Sequence, residues 1–120
     1  MARYVDGFVL PVPRANLKDY QRLARRMAKI FKEHGALEVV EAVEDDVKPG
    51  KWTSFPQSVK LKEDEVVVFS WIAYKSRAQR DQANKKVMAD PRVLKMMEGK
   101  AVPFDGKRMI YGGFKTFVES

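Results

Sequence analysis

The chain has 120 residues, 45% of them hydrophobic and 32% charged, which is ordinary globular composition for one domain over residues 1–120 and not for disorder. Cysteine is absent and histidine occurs once, as His34, so disulfides, thiolate chemistry and a multi-histidine metal centre within one chain are excluded. The formal net charge of +7 favours acidic partners in diffusional encounter but says nothing about fold.

Tyr4 to Leu10 reads as a strand, rich in aromatic and β-branched residues and stopped by Pro11 and Pro13. Asp6 and the two prolines break the apolar run that a secretory signal needs, and no window has the roughly 18 apolar residues of a membrane span. A cytoplasmic location is therefore expected. Asn16 is placed to cap a helix whose apolar positions Leu17, Tyr20, Ala24, Met27 and Phe31 recur at helical spacing, with Leu23 and Ile30 widening the stripe. Gly35, after His34, ends it as a left-handed cap.

Leu37 to Val43 is a second strand, and Glu44 to about Glu63 is a long polar loop containing Pro49-Gly50, Trp52 and Pro56. Loops of this length in small domains tend to be functional or interfacial. Glu65 to Tyr74 is the clearest strand. Ser76 with Gln79 forms a capping-box pattern for a second long helix to about Ala89. Asp90-Pro91 restarts the chain as cap and first helical residue of a short helix that stops at Gly99. Pro103 to Gly106 is a turn, and Met109 to Phe117 is the last strand, with Gly112-Gly113 marking a bulge or a close backbone approach.

The order β-α-β, loop, β-α-β is the split β-α-β of an α+β, ferredoxin-like fold with an antiparallel sheet. In the third strand Val67, Phe69, Trp71 and Ala73 face one way and Val66, Val68, Ile72 and Tyr74 the other, so both faces require cover. Two helices cover one. The second is covered either by the sheet of an identical chain, as a homodimer, or by the long loop folded back; the homodimer is the reading adopted.

Several stretches carry a resemblance. They are Tyr4 to Pro13, Asp45-Asp46-Val47, Val67 to Ile72, Arg80-Asp81 with Asn84, Met88 to Arg92, and Pro103 to Phe114. Together they resemble the YbaA-like family of bacterial proteins, a domain of unknown function. The resemblance spans almost the whole chain and implies a dimeric α/β-barrel of ferredoxin-like protomers, with no activity attached. Lys48 and Lys75 depart from the family's pattern without disturbing the fold assignment.

Candidate chemistry is sparse. Arg80, Asp81 and Asn84 lie on about one turn of the second long helix and could hold an anionic group, joined by Asp105, Arg108 and Tyr111. The competing reading is an arginine–carboxylate pair that pins a loop to a helix. Trp52 and Trp71, with Tyr74, could line an apolar ligand pocket or belong to core and interface. His34 is explained by the helix dipole as readily as by catalysis, and Asp45-Asp46 lacks the further oxygen ligands of a metal site. Lys18, Arg22, Arg25, Arg26, Lys29 and Lys32 form a basic helix face, but base-stacking aromatics are missing from it, so nucleic acid is the lesser alternative. No dinucleotide fingerprint, phosphate loop or catalytic-triad ordering is present, and no cofactor or metal is expected. The sequence points to a small, dimeric protein that binds or transforms a small metabolite, an anionic one among the candidates, between sheet and helices. The alternatives are nucleic-acid binding and a pocketless interaction module.

Overall fold

The computed structural model describes residues 3–98 and 101–120; the expected helix stop at Gly99 lies outside them. Four strands, β1 (Tyr4–Pro13), β2 (Glu38–Val43), β3 (Glu65–Tyr74) and β4 (Ile110–Lys115), form one antiparallel sheet in the order β2-β3-β1-β4. Against one face lie α1 (Leu17–Glu33), α3 (Arg77–Ala89) and the short α4 (Pro91–Met97), while a single turn, α2 (Phe55–Ser58), stands within the long loop. This is the α+β, ferredoxin-like arrangement expected from the element order.

β1 runs three residues beyond the expected stop, through both prolines. Parity explains why they are tolerated. The odd residues of β1 turn their backbone toward β4, as the bond from the Thr116 amide to the Arg3 carbonyl shows. The even ones turn toward β3, as the bond from the Arg14 amide to the Asp64 carbonyl shows. The pairing of β4 ends where Ile110 meets Val9, so Pro11 and Pro13 lack an N–H only where no strand would accept from it.

The helix caps divide between expectation and surprise. The Ser76 hydroxyl accepts from the Gln79 amide at 3.2 Å, and the Asp90 carboxylate accepts from the Arg92 amide at 2.9 Å. Asn16 occupies the cap position of α1 without making a capping bond; its amide donates to the Pro103 carbonyl at 3.4 Å and tethers the 101–104 segment. Gly35 takes φ +115°, the conformation that favours glycine after a helix. Gly113 answers to a close approach: a Cβ there would overlap the Tyr4 ring and hydroxyl.

The two faces of the sheet differ. On the helix face Leu10, Val12, Val66 and Val68 pack with Tyr20 and Ala24 of α1, and Tyr4, Ile72 and Tyr74 pack with Ala83 of α3. On the other face the loop folds back over one end, where Val59 joins Val9 and Val67 with Leu61 against them, and Phe55 of α2 reaches the Phe69 ring at 5.9 Å. The rest of that face is open. Phe69 is 43% exposed, Ile110 46% and Phe114 64%, with Trp71 and Val40 half-buried beside them. Register places Val5, Phe69, Trp71, Ile110 and Phe114 on this one surface.

Candidate functional site

The candidate residues divide between two faces and two ends of the sheet. Trp71 stands on the open face, its ring 5.7 Å from that of Phe69. Trp52 is 86% exposed in the long loop with the Lys51 ammonium 5.1 Å from its ring centroid. Tyr111 stacks on Phe8 at 6.2 Å on the helix face.

Arg108 and Asp105 belong to a clasp at the start of β3. Arg108 donates from both terminal nitrogens to the buried Glu65 carboxylate, at 2.7 and 2.6 Å, and from Nε to Asp105 at 2.9 Å. It also reaches the Lys60 carbonyl at 3.0 Å. The Arg108 hydrogen bonds hold the Glu65 carboxyl below its usual range. This fork ties the 105–108 turn, the end of the long loop and β3 together, which is the structural reading of an arginine–carboxylate pair.

Arg80 and Asn84 lie at the opposite end of β3, nine residues and roughly 30 Å away. Arg80 turns inward: its guanidinium donates to the Tyr4 hydroxyl at 3.0 Å, lies over the Tyr4 ring at 4.8 Å and stands 3.6 Å from the Asp6 carboxylate. Tyr74 donates to Asn84 at 3.4 Å. Asp81 stays at the surface, within 3.1 Å of Arg80 Nε, yet that N–H is not aimed at it and makes no hydrogen bond. Burial pushes the Asp6 carboxyl up, with Arg80 opposing, and burial likewise raises the Tyr74 phenol. In the sequence Asp6 stands out only as a break in an apolar run. Its position between Tyr4 and Phe8 on the inward face of β1 was the available signal.

His34 meets Asp90 at 2.8 Å, and Arg92 bridges Asp90 and Glu33 at 2.9 and 2.6 Å. These contacts, Arg92's first, hold the Asp90 carboxyl well below the carboxylate range. The cluster fastens α1 to the start of α4. The basic face of α1 is exposed, with Arg22 paired to Asp19 at 2.8 Å and Lys32 donating to the Leu37 carbonyl at 3.0 Å.

A groove not anticipated from the sequence runs between α1 and the edge strand β2. It encloses about 350 Å³. Leu17, Ala24, Val39, Val43 and Val68 give it apolar walls, and Gln21 and Arg25 lie along α1 at its rim. It exists because α1 presents Ala24 and Ala28 toward β2, where longer side chains would fill the space. Within it the Tyr20 hydroxyl donates to Glu41 Oε1 at 2.7 Å. Tyr20 is 8% exposed, and burial together with the Glu41 charge raises its phenol far above the usual range. Burial also pushes the Glu41 carboxyl up, with the Tyr20 hydrogen bond opposing; the residue keeps solvent access along the edge strand, so its desolvation is partial. Alternation would have disclosed it: Val39, Glu41 and Val43 share one face, an acid between two valines.

Among the described residues no group of three or more acids and histidines is placed to hold a metal ion, and no helix is long and apolar enough to cross a membrane.

Comparison with known proteins sets this geometry in a family. The family described as "Protein of unknown function (DUF1428)" matches residues 3–106. The chain is 50% identical over 117 residues to the uncharacterized protein YbaA of Escherichia coli K12, covering 98% of each chain. It matches the YbaA of Shigella flexneri to the same extent. The crystal structure of a dimeric ferredoxin-like protein from an uncultured marine organism superposes with a TM-score of 0.56 at 11% identity, over 98% of this chain and 96% of that one, a likeness of fold. The chain therefore belongs to the DUF1428 family, whose YbaA members share its length and half of its residues.

Proposed function

We propose that this chain is a single-domain protein that works as a homodimer, joined through the open sheet face, and binds a small organic molecule in the groove between α1 and β2. The observation that carries the reading is the Tyr20–Glu41 pair in a groove with apolar walls and with Gln21 and Arg25 at its rim. Ligand sites combine apolar walls with few, well-placed polar groups, and about 350 Å³ lies at the lower end of their range. The pairing surface supports the dimer. Exposed Phe69, Ile110 and Phe114 form a patch of the kind that marks an interface, and it lies on the side of the sheet away from the groove. Dimerisation thus leaves the groove open. The dimeric state of the marine neighbour points the same way.

Arg80 is engaged with Tyr4 and Asp6 and Arg108 with Glu65, which favours the groove over an anion site at those arginines. Native mass spectrometry on the full chain tests the proposal. A dimer is expected, with small-molecule adducts from a fragment mixture retained by the wild type and reduced in Glu41→Gln. A monomer would remove the dimer, and adducts indifferent to Glu41→Gln and Tyr20→Phe would remove the groove.

A further inference from the structure

The buried acids of this protein come with arginines. Asp6 faces Arg80, Glu65 is forked by Arg108, and Asp90 is held by Arg92. Glu41, exposed on the edge strand rather than buried, has no such arginine. Among the described residues its carboxylate has one close partner, the Tyr20 hydroxyl on Oε1, and no cation contributes to its environment. Arg25 lines the same groove without coming within ion-pair distance of it. The second oxygen of Glu41 is therefore left free on the β2 side of a groove whose apolar walls include Leu17, Val39, Val43 and Val68.

An unpaired carboxylate among apolar walls selects its guest. An anion would meet like charge at Glu41, with Arg25 on the α1 rim outside ion-pair distance of that carboxylate. A purely apolar guest would cover the acid and leave it without water, which costs the desolvation of a charged group. An ammonium supplies what Glu65 and Asp90 have, a charge-assisted hydrogen bond, weakened here by the solvent access of Glu41. Tyr20 fixes the geometry by holding Oε1, so that Oε2 is the open acceptor.

We propose that the groove takes a small amine, its ammonium on the free oxygen of Glu41 and its apolar body along Leu17, Val39, Val43 and Val68. This rests on the reading of the groove as a ligand site, and it adds the chemical class of the ligand.

The test is a titration of the full chain, followed by amide NMR shifts, with three compounds of matched shape: 2-phenylethylamine, 2-phenylethanol and 3-phenylpropionate. The expected result is that the amine shifts resonances from α1 residues 17–28 and β2 residues 39–43 and binds about tenfold or more tightly than the alcohol. The acid should not bind there. In Glu41→Gln, which keeps the size of the side chain and whose amide spectrum reports directly whether the fold is intact, the preference for the amine should disappear. If the alcohol or the acid binds the groove as well as the amine, or if the preference survives Glu41→Gln, the amine assignment is wrong while the groove remains a ligand site. If none of the three perturbs the groove, the groove reading fails and the amine assignment with it.

Discussion

Replacing Tyr20 by Phe tests the groove's polar pair at the level of a single bond. The ring is 8% exposed and packs edge-on against Phe104 at 5.7 Å, contacts that Phe preserves. What is lost is the 2.7 Å hydrogen bond to Glu41. A hydrogen bond to a charged partner contributes about 1.5–3 kcal/mol. Glu41 keeps solvent access on the edge strand, so water replaces part of the missing donor and the expected cost is about 1–1.5 kcal/mol. For a chain of this length that corresponds to roughly 3–6 °C in Tm. The cost depends on pH in a definite direction. Burial places the folded-state pKa of Glu41 above its unfolded value of 4.5, so burying this carboxylate begins to cost stability as pH rises through 4.5, and the full cost is reached above the folded value. The Tyr20 hydroxyl offsets that cost, and the offset matters most when Glu41 is ionised. Tyr20→Phe should therefore be more damaging at neutral pH than in acid, where only a neutral hydrogen bond of about 0.5–1 kcal/mol is lost. Urea unfolding of the wild type, Tyr20→Phe, Glu41→Gln and the double variant, at one protein concentration and at both pH values, closes the cycle. An equal cost of Tyr20→Phe at both pH values and in both backgrounds would refute the reasoning.

Three further outcomes are expected. Phe69→Lys combined with Phe114→Lys, both at exposed positions on the open face, should yield a folded monomer in sedimentation where the wild type sediments as a dimer; an unchanged dimer would place the interface elsewhere. Arg108→Met leaves the Glu65 carboxylate buried without its fork, so its unfolding midpoint should drop far more than that of Asp105→Ala, which removes one bond to the same arginine and one to the Lys107 amide at the surface. Asp90→Asn should destabilise the protein at neutral pH and progressively less in acid. The folded carboxyl is depressed, so its contribution is complete above the unfolded value of 3.8 and fades as pH falls toward the folded one. A difference that stays constant down to the lowest pH would contradict the Arg92 and His34 contacts as its source.

The fold was legible because its signals are local. The capping pairs Ser76–Gln79 and Asp90–Arg92 sit within a few residues, and the two-sided apolar alternation of β3 announces a sheet that needs cover on both faces. Where the local rule failed, the reason was tertiary: Pro11 and Pro13 continue β1 because β4 ends at Val9, a fact of strand length that no proline discloses. The candidate residues were less legible. Arg80 and Arg108 both looked available for an anion, and the acids that claim them, Asp6 and Glu65, lie 74 and 43 residues away in sequence. The groove depends on an absence of volume at Ala24 and Ala28 and on the pairing of Tyr20 with Glu41 across 21 residues. Only the odd acid of the Val39–Glu41–Val43 face pointed toward it.

A crystallographic fragment screen shows where small compounds settle on the protein. Fragments are expected between α1 and β2 against Tyr20 and Glu41, in a dimer whose sheets face each other. Fragments that gather elsewhere while the groove stays vacant at high compound concentration would contradict the groove as the ligand site.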